Sequence, residues 1–390
     1  MITKFIKRIL RRDPMVKHTH ANNTGAPKRV PKKTHRIDPH LLSKNAVKVT
    51  HTLQQAGYEA FIVGGAVRDL VLGIGPKDFD VATNATPDQV QKLFRKARLI
   101  GRRFQIVHVT FFGKGHPEII EVSTFRALLD NAGDHVAESG RILRDNVWGS
   151  QGEDAARRDF SINAMYYDPS SETVLDYHGG MGDIRSKTIR MIGNPTKRYR
   201  EDPVRMLRAI RFAAKTGFQI EPKTLAPIHE LGQLIHDVPS ARLFDEILKL
   251  LMSGHAWAGI QALRHANLHH GLLPFMARAL EDPQAAQFIE EALRNTDERI
   301  QMGKSVSPGF LFAALLWPDL EKEWQVLRNT GMPAVAALHA AIDTVVSPAH
   351  TGITIQRRHE GDMRDIWTMQ PRFEKRVGRY HDRLVEVPRF

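Results

Sequence analysis

Apolar positions change their spacing partway along the chain. Leu41, Leu42, Ala46, Val49 and Leu53 recur at helical intervals, and this predicts a helix that stops at Gly57. Shorter units follow: a strand over Tyr58 to Val63, a turn at Gly64-Gly65, a short helix over Val67 to Leu72 and a strand over Phe79 to Val81. Thr86 as N-cap and Pro87 at the first position predict a helix to Lys96. Strand composition returns at Ile106 to Phe112, Ile119 to Thr124, Met165-Tyr166, Val174 to Tyr177 and Ile189 to Ile192, with helix composition at Glu153 to Arg158. After Pro203 the pattern becomes helical: Val204 to Lys215, Ala241 to Met252, Ile260 to Ala266, Gln284 to Arg294, Phe310 to Leu316 and Ala334 to Val346, punctuated by Pro and Gly. No internal repeat has a convincing period. The predicted class is α+β, with a mixed α/β first half and an all-α second half.

The ends read differently. Met15 to Pro39 is Lys, His, Asn, Thr and Pro with almost no apolar side chains, so nothing there offsets the entropy of ordering; residues 1–38 are expected to form a disordered basic arm. Ile2, Phe5, Ile6, Ile9 and Leu10 share one helical face among basic residues. That stretch, residues 1–12, suits peripheral contact with an anionic inner membrane, or is simply a frayed terminus, because so short a helix is marginal in water. The rest divides into a mixed unit at 39–195, helical units at 196–270 and 271–355, and a basic tail at 356–390.

The 390 residues carry 56 Lys plus Arg against 43 Asp plus Glu, a net charge of +13. Residues 1–37 hold eleven bases and one acid, and residues 356–390 hold nine bases and six acids, so the ends account for the excess and the middle is neutral. Basic ends suit a polyanion, because Lys and Arg contacts to phosphates release counterions without reading sequence. The chain has no cysteine, which excludes a disulfide scaffold and thiolate metal sites. No run nears the roughly 20 apolar residues of a membrane span, and Lys7 and Arg8 interrupt any signal-peptide core. A cytoplasmic protein fits best.

Among phosphate-handling motifs, Gly303-Lys304-Ser305 ends like a P-loop, but Glu298 stands where the first glycine belongs. There is no His-Glu-x-x-His, and His236-Asp237 and His381-Asp382 lack the further ligands of a metal phosphohydrolase. The segment Phe61 to Asp69 with Lys77 to Val81 behaves otherwise. A strand runs into Gly64-Gly65, where missing side chains let a triphosphate approach backbone N–H groups, and Arg68 follows one helical turn later. Asp78 and Asp80, two apart on a predicted strand, would share a face about 6 to 7 Å apart, a spacing at which carboxylates hold a pair of Mg²⁺ ions.

The string GGAVRDLVLGIGPKDFDVAT resembles the signature of the class II nucleotidyltransferases of the polymerase β superfamily, the CCA-adding enzymes and bacterial poly(A) polymerases. Arg157 to Ala164 is similar to the family's RRDFxxNA motif, and Glu201 to Arg208 to its EDxxRxxR motif. The resemblance spans roughly residues 58 to 270 and implies a nucleotidyltransferase head followed by a helical neck, body and tail. It implies catalytic roles for Asp78, Asp80 and Asp159, with Asp78 and Asp80 on the metal. It implies nucleotide binding by Gly64, Gly65, Arg68, Arg158, Glu201, Asp202, Arg205 and Arg208, with Asp202 and Arg205 facing the base.

Leu99 to Val109 resembles the short signature that separates bacterial poly(A) polymerases from CCA-adding enzymes. Arg95, Lys96, Arg98, Arg102 and Arg103 put five bases in nine residues, and Arg102 and Arg103 are candidate contacts to a single-stranded RNA 3′ end, the alternative being a solvated loop. The implied activity is template-independent addition of AMP from ATP to RNA 3′ ends with release of pyrophosphate, by a monomer using two Mg²⁺ ions. A CCA-adding tRNA nucleotidyltransferase is the alternative. A non-enzymatic RNA scaffold would be expected to have lost one of Asp78, Asp80 or Asp159.

Overall fold

Eight short strands of the first half form one mixed sheet in the order β1-β8-β7-β2-β3-β6-β5-β4. They are β1 (Lys28–Pro31), β2 (Ala60–Val63), β3 (Asp80–Thr83), β4 (Ala97–Ile100), β5 (Ile106–Phe111), β6 (Glu118–Thr124), β7 (Met165–Asp168) and β8 (Thr173–Asp176). Every pairing is antiparallel except β3 with β6, where Asp80 stands opposite Glu121. The computed structural model describes residues 25–101, 105–113, 117–128, 147–268, 273–347 and 351–374.

Alternation along the strands gives the sheet two faces. Ile62, Val81, Ile120 and Val122 join the main core with Ala46, Val49 and Leu53 of α1 (Lys44–Gln55), Val67 and Leu70 of α2 (Gly65–Val71) and Val90 of α3 (Pro87–Leu93). Val63 and Ala82 turn the other way, into a smaller cluster with Phe125, Tyr166, Leu175 and Ala155 of α4 (Gln151–Arg157). Asp80 and Glu121 share the face of that smaller cluster. The helices begin where capping chemistry allows: Ser43 Oγ accepts from the Asn45 and Ala46 amides, and Thr86 with Gln89 and Ser150 with Glu153 form capping boxes.

After α5 (Gly180–Arg185) the chain turns helical: α6 (Pro195–Glu201), α7 (Val204–Thr216), α8 (Pro222–Leu231), α9 (Ser240–Leu251) and α10 (Ala256–His265). Beyond them lie α11 (Pro274–Ala279), α12 (Pro283–Gln301), α13 (Pro308–Leu315), α14 (Trp317–Asn329), α15 (Ala334–Val345) and α16 (Arg357–Glu374). Their buried apolar residues continue the main core, so the α+β division holds. Three expectations do not. The arm is not without structure to residue 38, because β1 pairs with β8 and Val30 and Ile37 are buried. The tail from 356 is not merely basic: Met363 and Trp367 of α16 are buried, and Trp367 Nε1 donates to Ala313 O at 3.1 Å. In both places two apolar residues at the right spacing outweigh a polar average. Finally, the helix from Pro87 stops at Leu93, and Ala97–Ile100 forms an edge strand carrying Arg98.

Candidate active site

The turn between β2 and α2 fixes the floor of the site. Gly64 has φ 76° and ψ −135°, a conformation open almost only to glycine. A Cβ there would lie 3.5 Å from Arg158 Nη1 and 4.0 Å from Asp80 Oδ2, so the bare backbone runs between a cation and a carboxylate. A Cβ on Gly65 would lie 3.5 Å from Arg68 Nη2. Arg68 itself is buried; Nε donates to Asp69 Oδ1 at 2.8 Å and Nη1 to Asn163 Oδ1 at 2.7 Å. Its guanidinium is thus largely engaged within the wall.

Asp80 opens β3 and Asp78 lies in the bend before the strand, and both are exposed. The two therefore do not stand on one strand face as their spacing predicted. Desolvation raises the Asp80 pKa to about 6, helped by the neighbouring Glu121 and, less, by Asp78, with Arg158 opposing. Glu121 escaped sequence reasoning because only the β3–β6 pairing sets it beside Asp80; its alternation with Ile120 and Val122 was the single available signal.

Asp159, which the motif implied as a catalytic carboxylate, is engaged by both of its oxygens. Its Oδ2 accepts from Arg208 Nε at 2.7 Å, and Oδ1 accepts the Phe160 amide at 2.8 Å. Burial works against its charge, but Arg208 and these donors hold the carboxyl below the usual carboxylate range. Among the described residues no three His, Asp or Glu side chains converge as a metal-binding group. Asp159 is the anchor of Arg208. Arg158 is likewise braced: it donates to Asp154 Oδ2 and Tyr166 Oη, and Tyr166 Oη donates to Asp154 Oδ2 at 2.6 Å.

The opposite wall comes from α6 and α7. Glu201 Oε2 accepts from Arg205 Nη1 at 3.0 Å and from Arg198 Nη1 at 2.8 Å, and Arg205 Nη1 also donates to Arg198 O, so Glu201 holds Arg205 in place. Arg198, which the motifs did not single out, donates to the Arg157 and Arg158 carbonyls at 2.5 and 2.7 Å, joining α6 to the end of α4. Burial, then the adjacent Arg205, lowers its pKa to about 10. Asp202 Oδ2 accepts from Arg242 at 2.9 Å, while its Oδ1 is buried with no hydrogen-bond partner. Glu246 of α9 accepts from Arg211 Nε at 3.0 Å and lies 3.5 Å from Arg208 Nη1.

These elements enclose a cavity of about 390 Å³ lined by Gly64, Gly65, Arg68, Asp80, Arg158, Asp159, Asp202, Arg205 and Arg208, among others. Four stretches far apart in sequence thus meet in one place. Asp78 and Glu201 are not part of the lining, and Arg102 and Arg103 lie outside the described residues.

The chain matches three family models: "Poly A polymerase head domain" over residues 60–190, "Probable RNA and SrmB- binding site of polymerase A" over 217–280, and "Polymerase A arginine-rich C-terminus" over 330–390. It is 47% identical to Poly(A) polymerase I of Salmonella typhi, over 93% of this chain and 79% of that protein. With the Haemophilus influenzae protein of the same name it shares 44%, over 91% and 79%. A CCA-adding enzyme of Bacillus velezensis is 35% identical over 65% of this chain and 62% of its own length. The solved structure of the Bacillus stearothermophilus CCA-adding enzyme in complex with CTP superposes with a TM-score of 0.51 at 26% identity, covering 86% of this chain and 94% of that one. Identity this high across nearly all the chain, set beside a lower and shorter match to CCA-adding enzymes, makes the chain a member of the bacterial poly(A) polymerase family of RNA nucleotidyltransferases.

Proposed function

We propose that the cavity takes ATP, with its triphosphate over Gly64 and its base against Asp202 and Arg205, and transfers AMP to the 3′ end of single-stranded RNA. The observation that carries this reading is the convergence of phosphate-side and base-side groups on one cavity. The RNA 3′-hydroxyl oxygen forms a bond to the α-phosphorus, the bond to the bridging α–β oxygen breaks, and pyrophosphate leaves. Arg158, locked by Asp154 and Tyr166, presents a fixed cation beside the Gly64 backbone, where developing phosphate charge needs it. Arg208, carried by Asp159 and Glu246, offers a second cation from the neck.

Asp80 fits a divalent cation: it is exposed at the head of β3, and Glu121 and Asp78 beside it raise its pKa while Arg158 only partly opposes them. Asp80 with Asp78, the pair the sequence put on the metal, would hold Mg²⁺, and Glu121 beside Asp80 offers a further carboxylate. Bound Mg²⁺ would polarise the phosphate and favour the attacking oxygen's ionised form. One of these carboxylates would receive the hydroxyl proton.

Such work on RNA ends belongs to mRNA processing in the cytoplasm, by a monomer. Among the described residues no helix is long and apolar enough to cross a membrane; peripheral contact through residues 1–12 is a separate reading, tested by binding of that peptide to anionic vesicles. The activity is tested by incubating the protein with labelled ATP or CTP, Mg²⁺ and an unstructured RNA. A long ladder with ATP alone supports the proposal. Efficient CTP addition confined to tRNA would replace it with the CCA-adding reading.

A further inference from the structure

The motif Glu201 to Arg208 is common to enzymes that add A and enzymes that add C, so its residues alone do not explain a choice of ATP. The chemistry shows why. Adenine and cytosine each present an exocyclic amino donor next to a ring-nitrogen acceptor. A carboxylate acceptor beside a guanidinium donor, as in Asp202 and Arg205, complements both. The bases differ in reach, because the purine's hydrogen-bonding edge lies further from the ribose than the pyrimidine's. A pair free to move can follow either edge; a pair held in place fits one.

Both members are held here, by different parts of the chain. Arg205 is fixed from within its own motif, by Glu201 Oε2 and Arg198 O. Asp202 is fixed from outside it: Arg242 Nη2, on α9, donates to Oδ2 at 2.9 Å. The remaining oxygen, Oδ1, is buried without a partner, an unmet acceptor on a residue that lines the cavity. One helical turn further along α9, Glu246 accepts from Arg211 and approaches Arg208. Residues 242 and 246 thus apply one helix face to the pocket wall.

We infer that Arg242 is a specificity-determining positioning residue, one that fixes the Asp202 carboxylate in the pocket wall and prevents the side chain from following a shorter base. This rests on the reading of Asp202 and Arg205 as the base-facing pair. Arg242 and Asp202 are 44% and 27% exposed at their side chains, and an ion pair so open to water contributes little to folding. Substitution therefore separates selection from stability.

The test uses the full chain with Mg²⁺ and an oligoadenylate primer, measuring kcat and KM for ATP and for CTP in wild type, Arg242→Ala, Arg242→Lys and Asp202→Asn, alongside thermal melting. Arg242→Ala is expected to lower the ATP-to-CTP ratio of kcat/KM by about tenfold, the scale of one misdirected polar contact, with Arg242→Lys recovering most of it. An Arg242→Ala ratio within about twofold of wild type overturns the inference, whether or not melting moves. If Asp202→Asn collapses the ratio while Arg242→Ala does not, only the inference fails. If Asp202→Asn also leaves the ratio unchanged, the base-facing reading fails with it.

Discussion

Replacing Gly64 by alanine tests the floor of the site, and the structure fixes what should happen. At φ 76° and ψ −135° an L side chain is strained whatever the space around it, at a cost of about 1–3 kcal/mol. The space itself is adequate: the new methyl would make ordinary contacts, 3.5 Å to Arg158 Nη1 and 4.0 Å to Asp80 Oδ2. Strain therefore dominates the stability loss, equivalent to roughly 2–4 °C of melting temperature per kcal/mol for a unit of 150–250 residues. Catalysis should suffer more, because the methyl stands between the fixed cation and the carboxylate, where phosphate oxygens are proposed to lie. Gly65 is the control: its backbone has no positive φ, and an added Cβ would meet only the tip of Arg68. The measurements are thermal melting and steady-state ATP incorporation on an oligoadenylate primer. Gly64→Ala should raise the ATP KM or lower kcat at least about tenfold and melt earlier, and Gly65→Ala should do neither to that degree. Equal melting of the two variants would refute the strain argument, and an unchanged ATP KM and kcat in Gly64→Ala would refute the position of the triphosphate.

Asp80→Asn and Glu121→Gln should each reduce nucleotide addition by several orders of magnitude without loss of helicity by circular dichroism; a Glu121→Gln enzyme within about tenfold of wild type would return the third-carboxylate role to another residue. Asp159→Asn should destabilise by about 1.5–3 kcal/mol at pH 7 through loss of its charge-assisted bond to Arg208. Because the folded Asp159 pKa is depressed, that contribution is present above the unfolded value near 4 and fades as pH falls below it. Denaturant titrations of both proteins at pH 7 and pH 3 should therefore differ by more at the higher pH. Deleting residues 1–24 should flatten the salt dependence of RNA affinity. Deleting 1–37 should lower stability as well, since it removes β1 and the buried Val30 and Ile37, each worth about 1.5–3 kcal/mol; equal melting of the two truncations would contradict the pairing of β1 with β8.

Local signals in the chain announced most of the elements and the chemistry. Helical spacing from Leu41, the Thr86-Pro87 cap and the Gly64-Gly65 break act through nearest neighbours, so each was legible without knowledge of what packs against it. The charged motifs were legible as strings of residue types, although the Glu201–Arg205 contact spans the break between α6 and α7. What tertiary structure decided is where charges sit relative to residues distant in sequence. Asp159 reads from its motif as a catalytic carboxylate, and only the fold shows that Arg208, 49 positions later, donates to its Oδ2. Glu121 looks like a solvated strand residue, yet the parallel pairing of β6 with β3 sets it beside Asp80. Arg242 and Glu246 sit on an unremarked amphipathic helix, and only its docking against α7 brings them to the pocket. An ion pair depends on distance in space, and separation along the chain says little about that until the sheet and neck have closed.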